Sequence, residues 1–496
     1  MLAHKTAYAS FIMIATRIST RFGDLITLLV LAHELTPSDF GIVALAASLM
    51  FIAEQIFEIP LIEAVLRLDV LKRSHLDTAF TISLIRGLAV MIIVLALAWP
   101  FAYFYGDSRL VSLIALLSLA PGMRGMQSPK MIIYMRTLSY WRNSVVEFSG
   151  KAMALIVAVG LAMSTHSYWA IAAGTVANPV MMLFVSFCLA PYRPRLSLTE
   201  WRHFAGFFGW TTLTQVIKSI NWQSDIMLLG RIAGRVELGL FTTANNLASA
   251  PLLAILGPMY NPLVASIASV KNDPERLRRA YLQTSNAAIT VGLPILAGES
   301  LVAKPLIQVM LGSDWLAAAN MVCYLALSFI PSLFALPFGP LVLARNQMHY
   351  FALRNASELC VKLPLLIIGG LKFGLLGIVA ARVISEFAVA AYSAILVRRL
   401  IGLSIREQIA GPWRSFTSTL FMAAGVIVLN DQLQVAFPFL PPIVLLGSLA
   451  SAGGAIYAVT LALLWIGCGR PPGIEHVIYQ SAAKFVRLPA ARVALR

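Results

Sequence analysis

Arg17 and Arg21 stand four residues apart, and Asp24 follows three residues later. A helix therefore carries all three on one face. The residues around them, Ala9 to Ala15 and Leu25 to Ala32, are apolar enough to dissolve in lipid. A charge near the middle of a bilayer costs roughly 2.5–3.5 kcal/mol on insertion scales, so such side chains need a partner or a water-filled cavity. Two cations against one acid leave a positive surplus, which is the chemistry of an anion site. The competing reading is an Asp24–Arg ion pair that neutralises itself.

A second polar stripe runs through a later apolar stretch. Thr211, Thr214, Gln215, Lys218, Asn221, Trp222 and Asp225 recur at helical spacing, followed by Thr242, Asn245, Asn246 and Ser249. A lipid-facing helix does not carry such a face. Hydroxyls and amides of this kind either join helices to one another or line a wet cavity suited to a sugar-bearing cargo. Glu54, Gln55 and Glu58 lie in the second apolar stretch, Arg86 in the third, and Arg382 with Glu386 in a late one. Glu54 and Glu58 are positioned to pair with arginines or to take up a proton. Arg382 and Glu386 read as an i,i+4 structural pair.

The elements that must hold these groups are helices in a membrane. Of 496 residues, 59% are hydrophobic and 12% charged, against about 25% charge in soluble proteins. Apolar runs recur along the whole length. The first run carries Arg17, Arg21 and Asp24 and lacks the short apolar core and small-residue cleavage site of a secretory signal. Fourteen spans are expected, at 9–32, 40–64, 78–101, 108–128, 143–163, 167–190, 204–229, 240–268, 280–302, 316–343, 355–371, 374–397, 413–430 and 441–467. With a cytoplasmic N-terminus, the inner segments hold 26 of the 38 Lys and Arg residues and the outer segments 5. That asymmetry sets the orientation, with both termini inside. It also accounts for the net charge of +16 without nucleic acid. From the ~1.5 Å rise per residue, Arg21 lies roughly 18 Å and Asp24 roughly 22 Å from the inner boundary, near the midplane.

The four cysteines, Cys188, Cys323, Cys360 and Cys468, show no metal spacing. There is no phosphate-binding glycine loop and no HExxH. The chain therefore offers no catalytic residue, cofactor or metal site.

Two internal echoes mark a repeat. Asp39-Phe40-Gly41 returns as Glu237-Leu238-Gly239, at an offset of 198 (237 − 39). Glu147 and Lys151 return as Glu358 and Lys362, at an offset of 211 (358 − 147). Each Glu–Lys pair is in the favourable i,i+4 order and reads as a brace within its own helix. The expected organisation is an N-terminal lobe over 1–200, a second six-helix lobe over 201–400, two extra helices over 401–470 and a basic tail over 471–496. An even number of helices per lobe makes the repeats parallel.

Four segments together resemble the polysaccharide transporter branch, the Wzx-type flippases, of the multidrug/oligosaccharidyl-lipid/polysaccharide (MOP) superfamily. They are LAHELTPSDFGIVA from Leu31, SDIMLLGRIAGRVELGLF from Ser224, DPERLRRAY from Asp273 with LGSDWLAAA from Leu311, and GLLGIVAARVISE from Gly374. Ile226 departs from the pattern where many relatives have Arg, and Phe241 stands where Tyr is common. The resemblance implies an all-α, MATE-like membrane protein of about fourteen transmembrane helices in two lobes around a central cavity. It implies alternating access that moves a polyprenyl-pyrophosphate-linked oligosaccharide from the cytoplasmic to the outer leaflet of a bacterial inner membrane, for lipopolysaccharide or exopolysaccharide synthesis. Relatives place cations on the first helix for the pyrophosphate.

On that basis Arg17, Arg21 and Lys218 are expected to hold the pyrophosphate. Thr211, Gln215, Asn221, Asp225, Asn245 and Asn246 would line the cavity. Asp24, Glu54 or Glu58 would couple transport to a proton or sodium gradient. The expected partners are the lipid-linked oligosaccharide, membrane lipids and the polymerase or export machinery. Two alternatives stand beside this reading. A multidrug antiporter of the same superfamily would need surplus acid in its cavity. A membrane polysaccharide polymerase would need a large outer loop, and the outer segments here reach only about a dozen residues.

Overall fold

The computed structural model describes residues 2–471 apart from 60, 62–64, 66, 67, 69, 138 and 202–209, together with 475 and 476; for 2–11, 14, 210–212, 254–259 and 261 it describes the backbone alone. The basic tail expected over 471–496 lies almost wholly outside the described residues. All regular elements among the described residues are helical. Inside a bilayer a helix satisfies its own backbone hydrogen bonds, which an open strand cannot do.

The first half comprises α1 (Leu2–Glu34), α2 (Pro37–Ile56), α3 (Arg73–Tyr105), α4 (Arg109–Leu117), α5 (Leu119–Gly125), α6 (Met131–Arg136), α7 (Trp141–Thr165) and α8 (Trp169–Leu189). Then follow α9 (Trp210–Ile232), α10 (Arg235–Ser269), α11 (Pro274–Leu301) and α12 (Ala303–Met310). The short α13 (Ala318–Ser328), α14 (Ile330–Ala335) and α15 (Phe338–Ala344) precede α16 (Met348–Ile401), α17 (Ile405–Ala410), α18 (Trp413–Ala436) and α19 (Pro442–Gly467). Among the described residues, eight stretches are long and apolar enough to cross a membrane, and nine if α11 and α12, which meet at a 75° bend, form one span.

Prolines and glycines explain where helices depart from the expected spans. The helix of the second span stops at Ile56 rather than near 64. Pro60 lacks an N–H and disfavours helical geometry in the residue before it, so Glu58 falls beyond the helix end. The fourth expected span breaks at Ser118, and the tenth is three short helices interrupted near Pro331, Pro337 and Pro340. Within α16 the chain bends at Gly374, whose φ of 58° suits glycine. That one residue separates the expected eleventh and twelfth spans.

The sequence echo at Asp39 and Glu237 marks two helix starts. Thr36 and Asp39 form a capping box with Pro37 in the first turn. Glu237 sits in the first turn of α10, where an acid complements the helix dipole. The glycines two residues on meet each other. A methyl on Gly239 would collide with the carbonyl of Pro37, and one on Gly41 with that of Arg235. Only glycine permits this crossing of backbones. Gly239→Ala is expected to destabilise the protein by about 1–3 kcal/mol, the cost of overpacking, read as a lower melting temperature in detergent.

The chain divides into two compact units, Met1–Thr243 with Lys362–Ile378, and Ala244–Val361 with Val379–Arg496. In the first, the loop after α8 is stapled to the start of α3. The buried Asp77 carboxylate accepts from the Tyr192 hydroxyl at 2.8 Å and the Arg195 N–H at 3.0 Å. Burial and this carboxylate together push the Tyr192 phenol above its usual pKa. In the second, Asp273 caps α11 by accepting from the N–H groups of Glu275 and Arg276.

Candidate anion site on the first helix

α1 and α7 run side by side in the first unit, joined by a polar ladder. Thr16 donates to Ser144 at 2.6 Å. Glu147 lies within electrostatic range of Arg17 and Lys151. Further along, the Lys151 ammonium donates to Asp24. Beyond that the seam turns apolar, with Leu31 and Leu35 against Ala158, Ala162 and Ala170. Asp24 thus pairs across helices with Lys151, not with an arginine of its own helix. Arg17 and Arg21 are exposed and make no ion pair among the described residues. The self-neutralising alternative is corrected for Asp24: that acid is engaged by Lys151, Arg21 has no ion pair among the described residues, and Arg17 has Glu147 within electrostatic range.

The same link recurs on α9. Lys362 of α16 donates to Asp225 at 3.0 Å and to the Asn221 carbonyl at 2.6 Å. Asp225 lies 201 residues after Asp24 (225 − 24), and Lys362 lies 211 after Lys151 (362 − 151). The lysines read as braces to Glu147 and Glu358 in fact tie neighbouring helices together. Glu358 instead faces Arg354 at 3.8 Å. The expectation that Asn221 and Asp225 line a cavity is also corrected, because both are buried and engaged with Lys362. Desolvated charges survive there only because they are paired and hydrogen-bonded.

Lys218, two turns before Asp225, is exposed and without an ion pair among the described residues. Gln215 is half-buried, and the side chain of Thr211 lies outside the described residues. In the second unit Asn246 is exposed and Asn245 half-buried, its side-chain oxygen without a partner among the described residues. The coupling candidates Glu54 and Glu58 both meet arginine. Glu54 takes Arg124 at 2.6 Å through both oxygens, and Glu58 takes Arg86.

Two acids escaped the sequence reading. Asp107, buried after α3, binds Arg235 at 2.8 Å and Arg109 at 3.2 Å, while Arg109 lies over the Tyr168 ring. Its place after a helix end gave it the look of a loop residue. Glu299 looked like one more residue of a hydrophobic helix. In the second unit it lines an apolar pocket of about 740 Å³ with Val302, Met422, Leu449 and Gly453. It is 9% exposed, and its Oε2 has no hydrogen-bond partner among the described residues. An unpartnered buried carboxyl costs stability, so Glu299→Leu is expected to stabilise the protein by about 1–3 kcal/mol. A lower melting temperature in detergent would contradict this.

Helices of this length and composition, tied by Asp–Lys links, define a polytopic helical membrane protein. The chain superposes on a lipid II flippase, MurJ, in an inward closed conformation, over 92% of this chain and 100% of that one, with a TM-score of 0.69 at 14% identity. An inward-facing MATE-family multidrug resistance transporter of the MOP superfamily matches 77% of this chain and 94% of that one, with a TM-score of 0.58 at 16% identity. Residues 30–320 match a family described as polysaccharide biosynthesis protein. The chain belongs to that family. The succinoglycan biosynthesis transport protein ExoT of Rhizobium meliloti is 22% identical over 309 residues, 61% of this chain and 62% of that protein. The lipopolysaccharide biosynthesis protein WzxC of Escherichia coli is 22% identical over 440 residues, 86% of this chain and 88% of that protein.

Proposed function

We propose that this protein is a flippase for polyprenyl-diphosphate-linked oligosaccharides, moving them from the cytoplasmic to the outer leaflet by alternating access between two six-helix lobes. One observation carries the reading. Arg17, Arg21 and Lys218, which the sequence sets at membrane depth, are exposed and form no ion pair among the described residues, although Glu147 lies within electrostatic range of Arg17, whereas Asp24, Glu54, Glu58 and Asp225 all hold basic partners. Exposed charge at that depth requires water rather than lipid around it, and unneutralised positive charge calls for an anion. Guanidinium groups match a diphosphate through charge-assisted, bidentate hydrogen bonds. Gln215, Asn245 and Asn246 supply donors and acceptors for sugar hydroxyls.

The succinoglycan and lipopolysaccharide relatives and the lipid II flippase fold support a cargo of this class. In this reading the protein is a transporter rather than an enzyme. It resides in a bacterial inner membrane with both termini cytoplasmic, is driven by a proton or sodium gradient, and hands its cargo to polymerase or export machinery. Native mass spectrometry of the protein extracted with its lipids tests the cargo. A bound polyprenyl-diphosphate glycan is expected, and a bound cationic solute in its place would favour the antiporter reading.

A further inference from the structure

The first unit contains two Asp–Lys links at corresponding places in the repeat, and they differ in access. The Asp225 and Lys362 side chains are 3% and 7% exposed. Lys362 spends two of its donors, on Asp225 and on the Asn221 carbonyl. The Asp24 and Lys151 side chains are 41% and 38% exposed. Lys151 has one hydrogen bond among the described residues, to Asp24, which leaves two of its three donors unused. The closed link has no room for a ligand. The open link stands on the face that presents Arg21, three residues from Asp24, and Arg17 a further turn below.

The surrounding charges are Arg17, Arg21 and Lys151 against Asp24 and Glu147. With Lys151 held by Asp24 and Glu147 within range of Arg17, Arg21 is the cation of this group that no acid pairs among the described residues. A diphosphate offers more negative charge and more acceptor oxygens than one carboxylate. We propose that Asp24 masks a third cation of the anion site. On arrival of a lipid diphosphate, Lys151 leaves Asp24 for the phosphate oxygens, so that Arg17, Arg21 and Lys151 hold the headgroup together. When the headgroup leaves, Asp24 recaptures Lys151, which keeps affinity low enough for release. The buried Asp225–Lys362 link, tied in place by Asn221, stays a fixed post. This inference rests on the lipid-diphosphate reading above.

The test uses the full-length protein in nanodiscs, titrated with geranylgeranyl diphosphate and with geranylgeraniol as the uncharged control. Asp24→Asn keeps the shape and an acceptor for Lys151 but removes the competing charge. It is expected to bind the diphosphate about tenfold tighter than wild type. Lys151→Gln is expected to bind more weakly, Lys151→Arg to bind as wild type, and the Asp24→Asn/Lys151→Gln double variant to lose the gain. Binding by Asp24→Asn at or below wild-type strength, with an unchanged melting temperature, overturns the mask. If wild type binds the diphosphate no better than the alcohol, the headgroup reading itself falls. If wild-type binding is diphosphate-selective and Arg21-dependent while Asp24→Asn brings no gain, the mask alone falls.

Discussion

Arg21→Ala is expected to lower transport of a lipid-linked oligosaccharide by about 10- to 100-fold at wild-type expression. A hydrogen bond to a charged group contributes about 1.5–3 kcal/mol, and each 1.4 kcal/mol is a factor of ten. In the proposed site Arg21 would supply such bonds, and among the described residues no acid forms an ion pair with it. The substitution removes no structural ion pair, because Asp24 is held by Lys151. Folding should therefore survive, and the loss should appear as weakened binding of cargo. Arg21→Lys should recover part of the activity, since a point charge remains but the bidentate fork is lost. Undiminished transport by Arg21→Ala would remove Arg21 from the site.

The largest stability effect is expected at Lys362→Met. Asp225 is 3% exposed and Lys362 7%. Removing one partner of a buried ion pair costs about 3–5 kcal/mol. The variant should express poorly and melt well below wild type. Lys362→Met combined with Asp225→Leu removes both charges and should recover most of the loss, since replacing a buried pair by apolar groups is often neutral or stabilising. A single variant as stable as wild type would show that this link is no fixed post. The contrast with Asp24→Asn matters, because the corresponding residue on α1 is half-exposed and its substitution should leave folding intact.

The pattern of apolar runs made the helices legible, because the bilayer forces each span to be long and apolar. The helices of the second and ninth spans start earlier than the apolar runs do, at Pro37 and Pro274, because local capping chemistry at Thr36 and Asp273 sets them. The end of α2 was harder to place, because Pro60 acts four residues after the last helical one and Phe57 to Ile59 look as apolar or amphipathic as the helix itself. The repeat was visible as the Asp39/Glu237 and Lys151/Lys362 echoes, but its meaning was not. Spacing of four suggested Glu–Lys braces along one helix, whereas the lysines reach acids 127 and 137 residues away. Nothing local announces which of two acids a long flexible side chain will choose. For the same reason Asp225 read as cavity lining, since a polar stripe looks alike whether it faces water or a lysine from another helix.

Arg17, Arg21 and Lys218 were legible from their cost alone, as charges that lipid would not tolerate. Glu299 was not, because a single acid near the end of an apolar helix gives no sign of whether a partner waits for it.

The most direct measurement is translocation by the purified wild-type protein in proteoliposomes. A polyprenyl-diphosphate oligosaccharide is loaded on one leaflet and its sugar is detected on the other by an impermeant glycan-modifying enzyme. Exposure of the sugar well above protein-free vesicles, and reduced toward that background by Arg21→Ala, is the result predicted. Exposure no faster than in protein-free vesicles, with an imposed proton or sodium gradient of either direction, would contradict the account.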